Sequence, residues 1–198
     1  LDRVLIDAWS GTLKPLYNRM EKLPSLQGQP LPILPEKHVR RTSGSLSSMD
    51  LGRGCPYQCS FCTIINVQGR KSRFRTADDV EHLVRLNWAH GIYKFFITDD
   101  NFARNKDWEA ILDRIIHLRE ANRWKLRFVI QVDTLCHRIP NFIDKAKRAG
   151  VMRAFVGLEN INPDNLLAAN KRQNGRSVTS CMGASASNGS GRRRSLSN

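Results

Sequence analysis

The sequence predicts an α/β protein built on a parallel sheet: an incomplete (β/α) barrel of about four βα units, preceded by a linker and followed by a disordered tail. Short β-rich runs alternate with helical stripes of apolar residues. That rhythm marks βα units, whose right-handed crossovers keep successive strands parallel. Polar residues and cysteines gather just after the strands, at the face where such folds bind ligands. Four strands are too few to close a barrel, so the sheet is open or the barrel is cut short.

The elements follow in order. Leu1, Val4, Leu5, Ala8 and Trp9 share one face at helical spacing, which reads as the end of a helix. Leu23 to Pro35 holds four prolines and Gly28, an extended linker rather than a packed element. Residues 1–47 are therefore expected to be a linker and remnant following a domain outside the chain. Ser48–Leu51 is a short strand leading into Gly52-Arg53-Gly54. Thr76 is a helix N-cap, with Asp78 and Asp79 complementing the dipole. Val80, Leu83, Val84 and Trp88 form that helix's stripe, and Gly91 ends it. Ile92–Thr98 is the second strand. Asn105 is expected to cap a second helix striped by Trp108, Ile111, Leu112 and Ile115. Leu126–Val132 is the third strand, and Phe142, Ile143, Ala146 and Ala149 stripe a third helix ending at Gly150. Val151–Leu158 is the fourth strand, and Asn162-Pro163 opens a fourth helix. The core thus spans 48–174. Beyond it, 175–198 is rich in Ser, Gly, Asn, Ala and Arg and cannot bury enough apolar surface to order itself. It is expected to be a disordered tail with the look of sequence foreign to the fold.

The 198 residues carry a net charge of +14. Four arginines lie in 175–198, which leaves 28 basic against 18 acidic side chains in the rest. A basic solvated surface accounts for this, and a polyanionic partner such as nucleic acid stays open, with Gln68 to Arg75 as its basic segment. No apolar run reaches the roughly 18 residues of a membrane span, and no signal peptide opens the chain. A cytoplasmic protein is the expectation.

Five cysteines are present, three of them in Cys55-Pro56-Tyr57-Gln58-Cys59-Ser60-Phe61-Cys62. An odd count crowded in this way does not read as a secreted disulfide framework. Thiolates are soft ligands that suit zinc or an iron–sulfur cluster. Zinc sites usually show a second ligand pair, which only Cys136 and His137 could supply. Three cysteines on one loop can instead hold three irons of a [4Fe–4S] cube, leaving the fourth iron open to a substrate or cofactor.

The spacing Cys-x3-Cys-x-aromatic-Cys just after a first strand resembles the signature of the radical S-adenosylmethionine (radical SAM) enzymes. The resemblance covers about Ser48 to Asn174. It implies that Cys55, Cys59 and Cys62 ligate a [4Fe–4S] cluster and that the amino and carboxylate groups of S-adenosylmethionine chelate the fourth iron. One-electron cleavage of the sulfonium would then release a 5′-deoxyadenosyl radical. By the same resemblance Phe61 sits near the adenine. Asp99 and Asp100 follow the second strand where the family binds the methionyl amino group, often with Gly-Gly-Glu; Asp99 is the preferred candidate here. Gln131, with Asp133 and Thr134, ends the third strand, where ribose or substrate contacts are implied. Glu159, in Gly157-Leu158-Glu159, ends the fourth strand, and the resemblance implies that it points into the barrel mouth. Cys136 reads as a buried structural cysteine, and Cys181, in the tail, carries no role.

Two subfamilies share the basic segment after the cysteines. The phrases Ile64 to Arg73, Phe96 to Phe102 and Gly157 to Pro163 resemble the cobalamin-binding radical SAM proteins, in which a cobalamin domain and a linker precede the barrel. Methylthiotransferases, which modify RNA or protein, are the alternative; they place extra cysteines upstream, and residues 1–54 hold none. A non-catalytic metal- or nucleic-acid-binding module is a third reading. The favoured resemblance implies methyl transfer to an unassigned substrate and an electron donor such as flavodoxin or ferredoxin. It also implies cobalamin held by a domain outside this chain, since an Asp-x-His-x-x-Gly loop is absent. A complete barrel of the family has six βα units, so a truncated and inactive product is a further expectation.

Overall fold

A computed structural model of the chain describes residues 2–174, apart from 19, 32, 34, 36, 39, 40, 42 and 43. The expected tail at 175–198, with Cys181, lies outside the described residues, as does Leu1.

Four strands form one parallel sheet in the order β1-β4-β5-β6: β1 (Leu46–Met49), β4 (Lys94–Ile97), β5 (Arg127–Val132) and β6 (Val151–Val156). Leu46 pairs with Lys94 and Met49 with Ile97, so the strands end together on one side. A separate antiparallel ladder joins β2 (Gly52–Arg53) to β3 (Arg73–Phe74). The helices are α1 (Asp2–Trp9), α2 (Ile64–Val67), α3 (Ala77–Ala89), α4 (Trp108–Asn122), α5 (Phe142–Ala149) and α6 (Pro163–Ala168). The sheet is open, with β1 and β6 at its edges.

Side chains alternate across the strands. Met49, Phe95, Ile97, Phe128 and Ile130 face one core with Val80, Leu83 and Val84 of α3, Ile111, Leu112 and Ile115 of α4, and Phe142 and Ala146 of α5. All three crossover helices thus cover the same face. The Thr76 hydroxyl accepts from the Asp79 N–H while the Asp79 carboxylate accepts from the Thr76 N–H, a reciprocal cap that starts α3. Asn162 caps α6 with Pro163 at its first position, as the sequence predicts.

Four expectations are corrected. The first strand is 46–49, two residues earlier than predicted, because the Leu51 N–H bonds to the Asp99 side chain instead of extending the ladder. Asn105 does not cap α4, which starts at Trp108; its amide is drawn to Asp99 and to the Asp107 N–H. Ile143 is 52% exposed, so the α5 stripe is narrower than its periodicity. The proline-rich linker is partly packed: Leu26 is buried, and the buried Arg75 donates to the carbonyls of Leu26, Gln29, Pro30 and Asp50. A guanidinium's several donors let one side chain gather a segment with no regular structure.

Candidate active site

The β2–β3 ladder closes the loop that carries the cysteines. Within it the Cys55 N–H donates to the Gly69 carbonyl (3.3 Å) and the Cys62 N–H to the Cys59 carbonyl (3.1 Å). Gly54 holds φ +90°, and a Cβ there would sit 2.7 Å from the Lys71 carbonyl oxygen. Only glycine fits this conformation and this approach.

The two aspartates after β4 hold that loop from below and from the side. Asp99 is 2% exposed. Its Oδ1 accepts from the N–H groups of Leu51 (2.9 Å) and Gly52 (2.7 Å), and its Oδ2 from Asn105 Nδ2 (3.1 Å). Burial pushes its carboxyl up to about 7 in spite of these donors. Asp100 Oδ2 accepts from the Gly54 N–H at 2.8 Å, one residue before the first cysteine.

Above them, at the C-terminal ends of the parallel strands, lies a cavity of about 260 Å³. Cys55, Cys59, Phe61, Cys62, Asp100, Gln131 and Glu159 all line it; Asp99 does not. With Asp133, which lines the cavity too, the structure brings together eight of the ten residues singled out from sequence; Asp99 and Thr134 lie outside its lining. The three cysteines are free thiols, Cys59 the most buried. Burial pushes the Cys55 thiol up. Gln131 Nε2 donates to the Asp99 carbonyl (3.3 Å). Glu159 adopts φ +63°, a costly region for a side chain, and its Oε1 accepts from Lys171 Nζ at 2.9 Å.

Sequence reasoning missed Asn101, Lys171, Gln173 and Asn174. Arg104 clamps Asp133 through two bonds of 2.6 and 2.8 Å. Burial pushes Asp133 up, but Arg104 and Asn101 outweigh it and hold the carboxyl below its usual range. Asn101 Nδ2 donates to Asp133 (3.0 Å), and Asn101 Oδ1 is buried without a partner beside the cavity. Lys171, itself buried, is the one cation among the lining residues and lies 5.4 Å over the Phe61 ring. Gln173 Nε2 reaches Cys59 Sγ at 3.5 Å. Asn174 Nδ2 donates to the carbonyls of Gly157 and Leu158. The polar run 170–174 looks in sequence like a solvated helix end, and only the buried Asn101 amide lies near a residue already suspected. Cys136 sits in the apolar core, away from the cavity.

Among the described residues no three His, Cys, Asp or Glu side chains are grouped tightly enough for a single metal ion. A [4Fe–4S] cube does not require that, because each thiolate binds a different iron.

The sequence profile of the radical SAM superfamily matches residues 49–190. The chain belongs to that superfamily. Membership implies a [4Fe–4S] cluster and S-adenosylmethionine. Relatives include the hopanoid C-2 methylase of Rhodopseudomonas palustris, 30% identical over 139 residues, which cover 65% of this chain and 25% of that protein. The bacteriochlorophyllide d C-12(1)-methyltransferase of Chlorobaculum tepidum is 29% identical over 182 residues, 87% of this chain and 38% of that one. Among solved structures, the radical SAM methyltransferase TsrM of Kitasatospora setae with tryptophan and a SAM analogue superposes with a TM-score of 0.58 at 26% identity, covering 74% of this chain and 27% of that one. The same enzyme with cobalamin and a [4Fe–4S] cluster gives 0.54 at 27% identity, covering 61% and 22%. The fold is thus a partial radical SAM barrel, and the chain spans about a quarter to two fifths of the length of these relatives. No helix among the described residues is long and apolar enough to cross a membrane.

Proposed function

We propose that this chain is the cluster-bearing part of a radical SAM methyltransferase that works with cobalamin, in which Cys55, Cys59 and Cys62 hold a [4Fe–4S] cluster and the adjoining cavity holds S-adenosylmethionine. The observation that carries the reading is the convergence of three free thiols, a buried acceptor without a donor and one buried cation on a single cavity. That donor set fits the group: thiolates for iron, Asn101 Oδ1 and the Asp100 carboxylate for an ammonium, Lys171 for a carboxylate. When bound, the cluster and S-adenosylmethionine supply one-electron reductive cleavage of the sulfonium. Phe61, exposed at the rim, offers an apolar face to the adenine, and Gln131 and Glu159 offer polar contacts to ribose or substrate. Asp99 acts from beneath by fixing the peptide groups of Leu51 and Gly52. Cobalamin and the methyl-transfer outcome rest on the relatives' names, as does the choice over a methylthiotransferase. An external electron donor, flavodoxin or ferredoxin in kind, completes the system.

The test is electron paramagnetic resonance on the anaerobically reconstituted, dithionite-reduced chain. Adding S-adenosylmethionine should change the cluster signal, because the amino acid groups bind its open iron. An unchanged signal from a full cluster would overturn the reading.

A further inference from the structure

We propose that Gln173 is a positioning residue for the cluster ligand Cys59 and that its side-chain N–H raises the reduction potential of the cluster. The proposal rests on the reading that Cys55, Cys59 and Cys62 bind a [4Fe–4S] cluster.

Gln173 Nε2 lies 3.5 Å from Cys59 Sγ, within reach of an N–H···S bond. Both side chains are buried, at 6% and 7% exposure, so water competes little for either group. The contact spans 114 residues and is fixed by the segment that follows α6. The Ala169 carbonyl accepts from the Ser60 N–H at 3.0 Å, which ties that segment to the residue after Cys59. At its other end Asn174 is fully buried, accepts from Thr134 Oγ1 at 2.9 Å and donates to the Gly157 carbonyl at 2.8 Å. The amide of Gln173 is thus carried to the sulfur by a strap anchored at the ends of β5 and β6.

The physical consequence follows from charge. Reducing the cluster by one electron places more negative charge on its sulfurs. An N–H dipole with its positive end at a thiolate stabilises the reduced form more than the oxidised form, and in a dry site that difference is not screened away. Removing the donor therefore makes the cluster harder to reduce without removing a ligand.

The experiment is a redox titration of the full 198-residue chain, reconstituted anaerobically and followed by electron paramagnetic resonance, for wild type, Gln173→Met and Gln173→Glu. Iron content near four per chain is expected in all three. The midpoint should shift negative in Gln173→Met. It should shift further negative in Gln173→Glu at high pH and recover as pH falls and the protonated carboxyl regains a donor. A structural role alone leaves the midpoint of Gln173→Met where the wild type has it, whereas the shift in Gln173→Glu at high pH also carries the charge of the new carboxylate. If the Met variant holds no iron, Gln173→Leu, equally neutral and equally without a donor, carries the comparison. Unchanged midpoints at full iron content would overturn the proposal, as would loss of iron from both variants, which would make Gln173 a structural residue. A wild-type chain that takes up no iron would instead sink the cluster assignment itself.

Discussion

Asp99→Asn should flatten the pH dependence of folding stability. The wild-type carboxyl is 2% exposed and is pushed up to about 7 by burial, from an ordinary value of 3.8. Between those values the folded chain holds a proton that the unfolded chain has released, so stability falls as pH rises. The contribution is present in full below about pH 4 and is lost as pH rises through about 7. The slope is about 1.4 kcal/mol per pH unit until the carboxyl begins to ionise, which amounts to about 2 kcal/mol between pH 5 and pH 7. Asparagine keeps an oxygen for the Leu51 and Gly52 N–H groups but turns an N–H₂ toward Asn105 Nδ2, which now donates to Asp99 Oδ2. Asn105 cannot simply flip, because its own oxygen accepts from the Asp107 N–H. The variant should therefore lose about 1–3 kcal/mol at pH 5 and converge on wild type, or exceed it, near pH 8. Urea unfolding at several pH values between these limits measures both slopes. Parallel curves for the two proteins would refute the reasoning that a desolvated carboxylate underlies the cysteine loop.

Gly54→Ala should lower iron uptake sharply, because the added Cβ meets the Lys71 carbonyl at 2.7 Å at a φ of +90°; iron analysis after reconstitution checks it. Arg75→Met should destabilise the chain by about 1–3 kcal/mol and open residues 26–30 to protease, since four carbonyls lose their shared donor. Asn101→Leu should leave iron content intact and weaken S-adenosylmethionine binding about tenfold, the worth of roughly one hydrogen bond. Equilibrium binding to the reconstituted protein reads that shift.

What the sequence reveals depends on how far apart the interacting residues lie. Thr76 and Asp79 are three residues apart, and Asn162 adjoins Pro163, so both helix starts are legible. The three cysteines share one loop, and their spacing is legible as a resemblance to the family whose profile matches the chain. The strand ends are also legible as a group, which is why Asp100, Gln131 and Glu159 are found on one cavity. The errors arise where a distant side chain takes over a backbone group. Asp99 captures the Leu51 N–H from 48 residues away and shortens the first strand at that end. Asn105 is diverted from capping by the same carboxylate. Lys171 and Gln173 are ordinary polar residues by composition, and only the return of the chain after α6 buries them against Glu159 and Cys59. Asp99, preferred from sequence over Asp100 for an ammonium contact, has both oxygens occupied by the protein itself; Asp100 is the aspartate on the cavity.

Counting iron and acid-labile sulfide in anaerobically reconstituted wild type, Cys59→Ala and Cys136→Ala puts the assignment of the three loop thiols at risk most directly. About four of each per chain are expected for wild type and for Cys136→Ala, whose sulfur lies in the apolar core, and far less for Cys59→Ala. Equal loss from both variants, or one zinc and no iron in the wild type, would contradict it.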